Sequence, residues 1–318
     1  MLSLEDVESA AAIVYAAMPP TPQYAWPLLA RRTGCEVWVK HENHTPIGAF
    51  KVRGGLVYMA QLKRDQPAVA GVISATRGNH GQSIALAAGR AGIAATIVVP
   101  KGNSVEKNAA MRAFGAELIE AGHDFDAARE VAVRLAGERG LSMVPSFHRD
   151  LVCGVATYAL ELFRAAPPLD TVYVPIGLGS GICGTIAVRD ALGLSTKVVG
   201  VVSTEAPAYA LSFAAGKVVA TNSADTMADG MAVRGPDSEA LKVILKGADR
   251  IVKVSDAEIA IAMRAYYEDT HQLTEGAGAA ALAALMQERE RLKGKRVGLI
   301  LSGGNIDRPL YLRTLAGD

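Results

Sequence analysis

Short runs rich in β-branched residues recur along the chain, and this alternation constrains the fold more than any other feature. The runs are EVWVK (36–40), GVISA (71–75), ATIVVP (95–100), AELIEA (116–121), TVYVPI (171–176), KVVGVV (197–202), RIVKV (250–254) and RVGLIL (296–301). Between them lie Ala-rich stretches with helical spacing, among them NHGQSIALAAGRAG, SVEKNAAMRAFG and SDAEIAIAMRAYYEDT. The last opens with Ser255 and Glu258 at capping-box spacing, as the N-terminal segment does with Ser3 and Asp6. Strands that are apolar throughout need cover on both faces, so the alternation calls for parallel sheets flanked by helices. Four strands are expected between residue 71 and about 145, and a second set from 171 onward. The fold class is therefore α/β, with two packed lobes, each a mostly parallel twisted sheet. A cleft is expected where strand ends meet loops.

Several function classes fall away on composition. The 33 basic and 32 acidic side chains leave a formal charge of +1, which is no nucleic-acid footprint. No apolar run reaches membrane-spanning length. The N-terminus is acidic where a signal peptide would be basic. Cys35, Cys153 and Cys183 are odd in number and far apart, which suits neither a disulfide framework nor a zinc site. A soluble, cytoplasmic protein is the expectation.

Chemistry concentrates in loops. In HTPIGAFKVRGG, Lys51 stands among Gly48, Gly54 and Gly55. A lysine is ordinarily exposed, but glycine weakens a helix and needs a reason to be there, and close backbone approach is one. GLGSGICG (177–184) joins a strand to a helix, where free N–H groups and the helix dipole suit a phosphate. Gly179, Gly181 and Gly184 also spell G-x-G-x-x-G, with Glu205 ending the next strand, so a dinucleotide-binding oxidoreductase competes. A plain tight turn is the third possibility. In SATRGNHGQS (74–83), Thr76, Asn79 and His80 offer donors beside another helix start, suited to a carboxylate or a ring oxygen, or else a cap that satisfies its own backbone. LSGGNID (301–307) follows the last strand and says little alone.

Taken together, HTPIGAFKVRGG, SATRGNHGQS, VPIGLGSG and LSGGN stand in the order and approximate spacing of the pyridoxal-phosphate enzymes of the tryptophan-synthase-β fold, also called fold type II. The chain resembles their serine/threonine dehydratases and serine racemases over nearly its full length, including ADGMAVR (228–234) and TEGAGAAALAAL (274–285). Four ordered motifs outweigh one glycine loop, and the dinucleotide reading recedes. The resemblance implies that Lys51 carries pyridoxal 5'-phosphate as an imine, with Phe50 beside the ring. It implies that Gly177, Leu178, Gly179, Ser180 and Gly181 hold the phosphate, that Asn79 bonds the ring hydroxyl, and that Ser302 faces the ring nitrogen. Glu275 matches a family glutamate near the cofactor, and Thr76, Arg77, Asn79 and His80 form the loop that receives substrate. It further implies a large cofactor-binding domain (1–46 with 147–318), a small mobile one (47–146) and a homodimer.

By the same resemblance the activity is dehydration of a β-hydroxy-α-amino acid to a 2-oxo acid and ammonia. Threonine or serine is the default substrate, and hydroxyaspartate or phenylserine remain open. A β-replacing or racemising relative is the runner-up, and a silent small-molecule binder is the reading from another class. Ser302 brings no charge to the ring nitrogen, which favours elimination over transamination. Three departures narrow the expectation. Gly-Leu-Gly-Ser replaces a run of four glycines. Val202 and Ala208 stand where the racemase branch carries oxygen ligands for a divalent cation, so no metal is expected. Arg77 stands where the racemase has its second base, and a guanidinium cannot serve as a base. Its anion-binding role competes with an outward salt bridge or a packed surface arginine. Thirteen residues follow Asn305, too few for an appended regulatory domain, so feedback control of that kind is not expected.

Overall fold

A computed structural model describes residues 2–317. Among these residues ten strands form two sheets. The larger contains β1 (Gln23–Ala25), β2 (Glu36–His41), β7 (Thr171–Pro175), β8 (Lys197–Ser203), β9 (Arg250–Val254) and β10 (Arg296–Leu301), in the order β1-β2-β10-β7-β8-β9. The smaller contains β3 (Val72–Ala75), β4 (Ala95–Val99), β5 (Glu117–Glu120) and β6 (Ser142–Met143), in the order β5-β4-β3-β6. Every pairing is parallel except that of β1 with β2. All eight expected strands form, to within a residue or two at their ends, and the smaller sheet supplies the four expected between 71 and 145.

Thirteen helices cover the sheets among the described residues. They are α1 (Leu4–Tyr15), α2 (Pro27–Thr33), α3 (Lys51–Asp65), α4 (Asn79–Arg90), α5 (Val105–Ala113), α6 (Phe125–Arg139) and α7 (Arg149–Ala165), then α8 (Ser180–Ala191), α9 (Ala208–Ala215), α10 (Ser238–Gly247), α11 (Asp256–Thr270), α12 (Gly276–Leu292) and α13 (Arg308–Ala316). Both expected capping boxes are made, Ser3 with Asp6 and Ser255 with Glu258. Each satisfies two orphan N–H groups at once.

Gly54 and Gly55 owe their presence to helix crossings. A Cβ on Gly54 would lie 2.7 Å from the Leu151 carbonyl oxygen on α7, and one on Gly55 would lie 2.3 Å from Ser83 Oγ on α4. From the other side, a Cβ on Gly154 would come within 2.2 Å of the Arg53 carbonyl oxygen. Backbone therefore touches backbone where α3 crosses α7, as only glycine permits. Beneath that crossing lies a buried ionic cluster. The Arg53 guanidinium bonds Glu42 at 2.7 and 3.0 Å and Glu161 at 2.6 and 2.9 Å, and Lys40 reaches Glu161 at 2.5 Å. This fastens the first turn of α3 to β2, to α7 and to the 3-10 turn Glu42–His44.

Candidate active site

β10, β7 and β3 run in parallel senses within their sheets, and the loops leaving their C-terminal ends carry Ser302, Gly177 and Thr76. These are the ends at which open α/β sheets bind ligands. Lys51 is the first residue of α3. The segment before it is laid against the end of β10, with an isolated bridge between Ala49 and Gly303 and the Phe50 N–H donating to the Ser302 carbonyl at 3.0 Å. Ser83 Oγ donates to the Lys51 carbonyl at 2.6 Å. The lysine Nζ lies 4.7 Å from the Phe50 ring centroid. Burial lowers its pKa to about 8 against the opposing pull of Glu275, so a neutral amine is accessible near neutral pH.

The loop from β7 into α8 is built to leave its amides free. Gly179 is the N-cap, at φ 103, and provides no side-chain cap, so the first-turn N–H groups of α8 are open to an anion. Two tyrosines hold the loop by its carbonyls instead. Tyr158 donates to Gly181 O and Tyr209 to Leu178 O, each at 2.8 Å. A Cβ on Gly177 would fall 2.4 Å from the Gly230 carbonyl oxygen, and one on Gly181 would lie 3.1 Å from the Tyr158 hydroxyl. Leu178 takes part in the wall, and Ser180 is buried beside it.

A chain of side-chain amides sets the opposite wall. Asn305 Nδ2 donates to Ile47 O at 2.7 Å and to Asn79 Oδ1 at 2.8 Å, and Asn79 Nδ2 donates to Glu275 Oε1 at 2.7 Å. That leaves one hydrogen of the Asn79 amide unspent. Burial raises the Glu275 carboxyl to about 7 although Lys107 pulls it down. His80 is held neutral, its pKa lowered to about 3 by burial and by Lys51.

Phe50, Lys51, Asn79, Gly177, Leu178, Gly179, Ser180, Gly181, Glu275 and Ser302 all line one narrow hollow. Thr76, Arg77, Asn79 and His80 line the adjoining cavity of about 740 Å³, which Lys51 also reaches. Thr76 Oγ1 accepts from the Gly78 and Gly81 amides at 3.0 and 3.3 Å, which leaves its own proton to donate. Arg77 is exposed on the cavity wall, near enough to Asp124 to help hold that carboxyl below its usual range after the Ala127 amide. The residues named from the sequence thus line two adjoining hollows. Val202 and Ala208 lie buried in β8 and at the start of α9 and present no side-chain oxygen.

Sequence reasoning did not single out Lys107, Asp229, Asn305, Tyr158, Tyr209 or Met231. For Lys107 a signal existed. Lys107, Asn108 and Met111 form the buried face of α5, and a lysine on a helix's inward stripe is unusual.

Pyridoxal phosphate fits this arrangement on the structure's own terms. There is an uncapped helix start for a phosphate, in a loop whose glycines leave no room for side chains against Gly230, Ala240 and Tyr158. Glu275 Oε2 and His80 Nε2 are buried without a hydrogen-bond partner. Polar atoms left this way call for a ligand or water.

Comparison with known proteins agrees. Residues 14–303 match the model of the family described as "Pyridoxal-phosphate dependent enzyme". The chain is 34% identical over 308 residues to an L-threonine ammonia-lyase of Thermotoga maritima, covering 96% of this chain and 76% of that protein. It is 32% identical over 316 residues to an L-threo-3-hydroxyaspartate ammonia-lyase of a Pseudomonas species, with 99% of each covered. The processed threonine deaminase isoform 2 of Solanum lycopersicum superposes with a TM-score of 0.90 at 28% identity, over 100% of this chain and 95% of that one. With the lysine, the glycine loop and the amide chain in one hollow, these likenesses settle descent: the chain belongs to the pyridoxal-phosphate-dependent enzymes, in their serine/threonine dehydratase family.

Proposed function

We propose that the protein is an ammonia-lyase that dehydrates a β-hydroxy-α-amino acid, of the threonine or serine type or its hydroxyaspartate analogue, to a 2-oxo acid and ammonia. One observation carries the reading. The amine of Lys51, lowered to about 8, stands where the glycine loop meets the Thr76–His80 loop. The names of the relatives point the same way, toward threonine and toward hydroxyaspartate.

In this reading the amides of residues 177–181 would hold the cofactor phosphate, and Asn79, with its free N–H, and the uncharged hydroxyl of Ser302 would hold the ring. When bound, pyridoxal phosphate supplies the conjugated electron sink that acidifies the Cα–H of an amino acid. The chain does the rest. Lys51 takes up the Cα proton at Nζ, which its lowered pKa suits. Thr76 Oγ and the amides that open α4 receive the α-carboxylate, and neutral His80 adds no charge to repel or overbind it. Glu275 and Asn305 fix Asn79 so that its donor is aimed before substrate arrives.

Among the described residues no helix is long and apolar enough to cross a membrane. We place the enzyme in the cytoplasm as a homodimer, with residues 47–146 moving as the small domain. A panel of threonine, serine, L-threo-3-hydroxyaspartate and phenylserine, read by 2-oxo-acid release, tests the reaction. Borohydride reduction followed by peptide mass spectrometry should find the cofactor on Lys51, and Lys51→Ala should abolish turnover. Label on another lysine, or no 2-oxo acid from any member of the panel, refutes the assignment.

A further inference from the structure

Lys107 is a lysine that is only 6% exposed, and it sits between two carboxylates. Its Nζ lies 2.5 Å from Asp229 Oδ2 and 3.7 Å from Glu275 Oε2. Its stem lies on the substrate loop, with Cδ 2.5 Å from where a Cβ on Gly78 would stand. One side chain thus touches the loop expected to hold the α-carboxylate, the 3-10 turn Asp229–Met231 and the glutamate that orients Asn79. The first turn of α5, which packs with the smaller sheet, makes two more contacts across the cleft. Ser104 Oγ donates to Asp307 Oδ1 at 2.5 Å, and Glu106 Oε1 accepts from the Arg308 N–H at 3.0 Å. Of these three, Lys107 alone reaches the interior.

The acceptor is otherwise short of partners. Glu275 Oε1 takes the Asn79 amide, and Oε2 has no hydrogen bond. The charged or polar groups facing this carboxyl are Lys107 from α5, Asp229 from the 3-10 turn, Asn79 from α4 and Lys51 from α3. Lys107 in turn faces Glu275, Asp229 and Asp307. Removing Lys107 leaves Glu275 facing an uncompensated Asp229.

Resting on the ammonia-lyase reading above, we propose that Lys107 is a positioning residue for the reaction: it orients Glu275, and through Glu275 the Asn79 amide, only while α5 is docked across the cleft. Closure of the cleft and alignment of the ring-facing amide then become one event. Substrate that settles on the 76–80 loop shifts Gly78, on which the lysine stem lies, and so completes the alignment that its own turnover needs.

The test compares Lys107→Met, which keeps the stem over Gly78 and removes the charge, with Lys107→Arg and Asp229→Asn in the holoenzyme. For Lys107→Met the expectation is a fall in kcat of about tenfold or more with KM within about threefold, the split of a lost alignment rather than lost ground-state binding. The acidic limb of its kcat–pH profile should move up by about one unit, since Glu275 loses its nearest cation. Lys107→Arg should restore kcat in part. Asp229→Asn should move the same limb down, because an anion that raises the Glu275 pKa is removed. This opposite shift does not depend on Lys107→Met folding. Hydrogen exchange of holoenzyme segments 76–80 and 105–113 should quicken in Lys107→Met, a readout independent of turnover. An unchanged kcat, a change confined to KM, limbs that do not move in opposite senses, or unchanged exchange overturns the proposal. Absence of 2-oxo acid from the unaltered enzyme would instead refute the reaction, and the exchange measurement would still decide the role of Lys107.

Discussion

Replacing Arg53 with methionine removes a charge while nearly keeping volume and helix propensity. Arg53 and Glu42 are fully buried, and Glu161 is 7% exposed. Six hydrogen bonds leave the guanidinium, two to each carboxylate and one each to Thr21 and Thr157. After the change Lys40 still pairs with Glu161 and lies near Glu42, but the only side-chain hydrogen bond left to Glu42 is from the Thr21 hydroxyl, at 2.6 Å. A buried charge stripped of its partner costs about 3–5 kcal/mol. That is a large share of the roughly 5–15 kcal/mol that holds a typical domain together.

The pH dependence follows with a definite sign. Burial pushes the Glu161 carboxyl up, but Arg53 and Lys40 outweigh it and its pKa is lowered. A lowered folded-state pKa contributes stability above the unfolded value, and that contribution is lost as pH falls through the folded one. Acid therefore weakens the native cluster only as pH falls below the ordinary glutamate range, about 4.3. The difference between the two proteins should hold down to about pH 5 and shrink below about pH 4. Equilibrium urea unfolding at pH 7 and at about pH 3.5, followed by circular dichroism with cofactor saturating, measures it. A difference under about 1 kcal/mol at pH 7, or one that fails to shrink in acid, refutes the reasoning. Adding Glu42→Gln to Arg53→Met should recover part of the loss, since the two sites are directly coupled.

Two further outcomes concern the site itself. Gly177→Ala places a methyl group 2.4 Å from the Gly230 carbonyl oxygen, a backbone atom with no rotamer to yield. Cofactor affinity, titrated by absorbance, should fall about fivefold or more for a strain of 1–3 kcal/mol, and unchanged affinity would remove Gly230 from the phosphate wall. Arg77→Ala separates anion binding from surface packing. A loss shared by threonine, serine and hydroxyaspartate marks the α-carboxylate, whereas a loss of about 2–5 kcal/mol confined to hydroxyaspartate marks the second carboxylate. A change in kcat/KM within about twofold for every substrate ends the anion-binding idea.

Strands such as KVVGVV and RVGLIL were legible because a strand covered on both faces has no choice but to be apolar throughout. β1, and the place of β6 as the fourth strand of its set, escaped for the opposite reason. Gln23–Ala25 is an edge strand of three partly exposed residues after Pro22, and Ser142–Met143 is two half-buried residues whose pairing with β3 fixes them. Neither carries a period to read. The site was legible where backbone does the work, since loops such as GLGSGICG advertise free amides through their glycines. Groups that support those loops from behind were not. Tyr158 and Tyr209 reach the loop from α7 and α9, and Asn305 reaches Asn79 across 226 positions. Such contacts exist only once the chain has folded. Gly54 and Gly55 showed in sequence that something approaches the backbone closely, but not that the neighbours are α7 and α4.

The crossing of α3 over α7 bears on how the cleft could breathe. Lys51 falls within the segment proposed to move, yet its carrier is bound to what stays still. Ala49 and Phe50 are tied to the end of β10, Gly54 rests on Leu151, and Arg53 is locked to Glu42 and Glu161. A hinge at residue 47 would have to tear all of these contacts at each cycle. Bending beyond the first turn of α3 spares them. The smaller sheet would then swing about a stationary amine, as a door moves while its post does not, and admitting or releasing a small molecule would leave the cofactor's tether undisturbed.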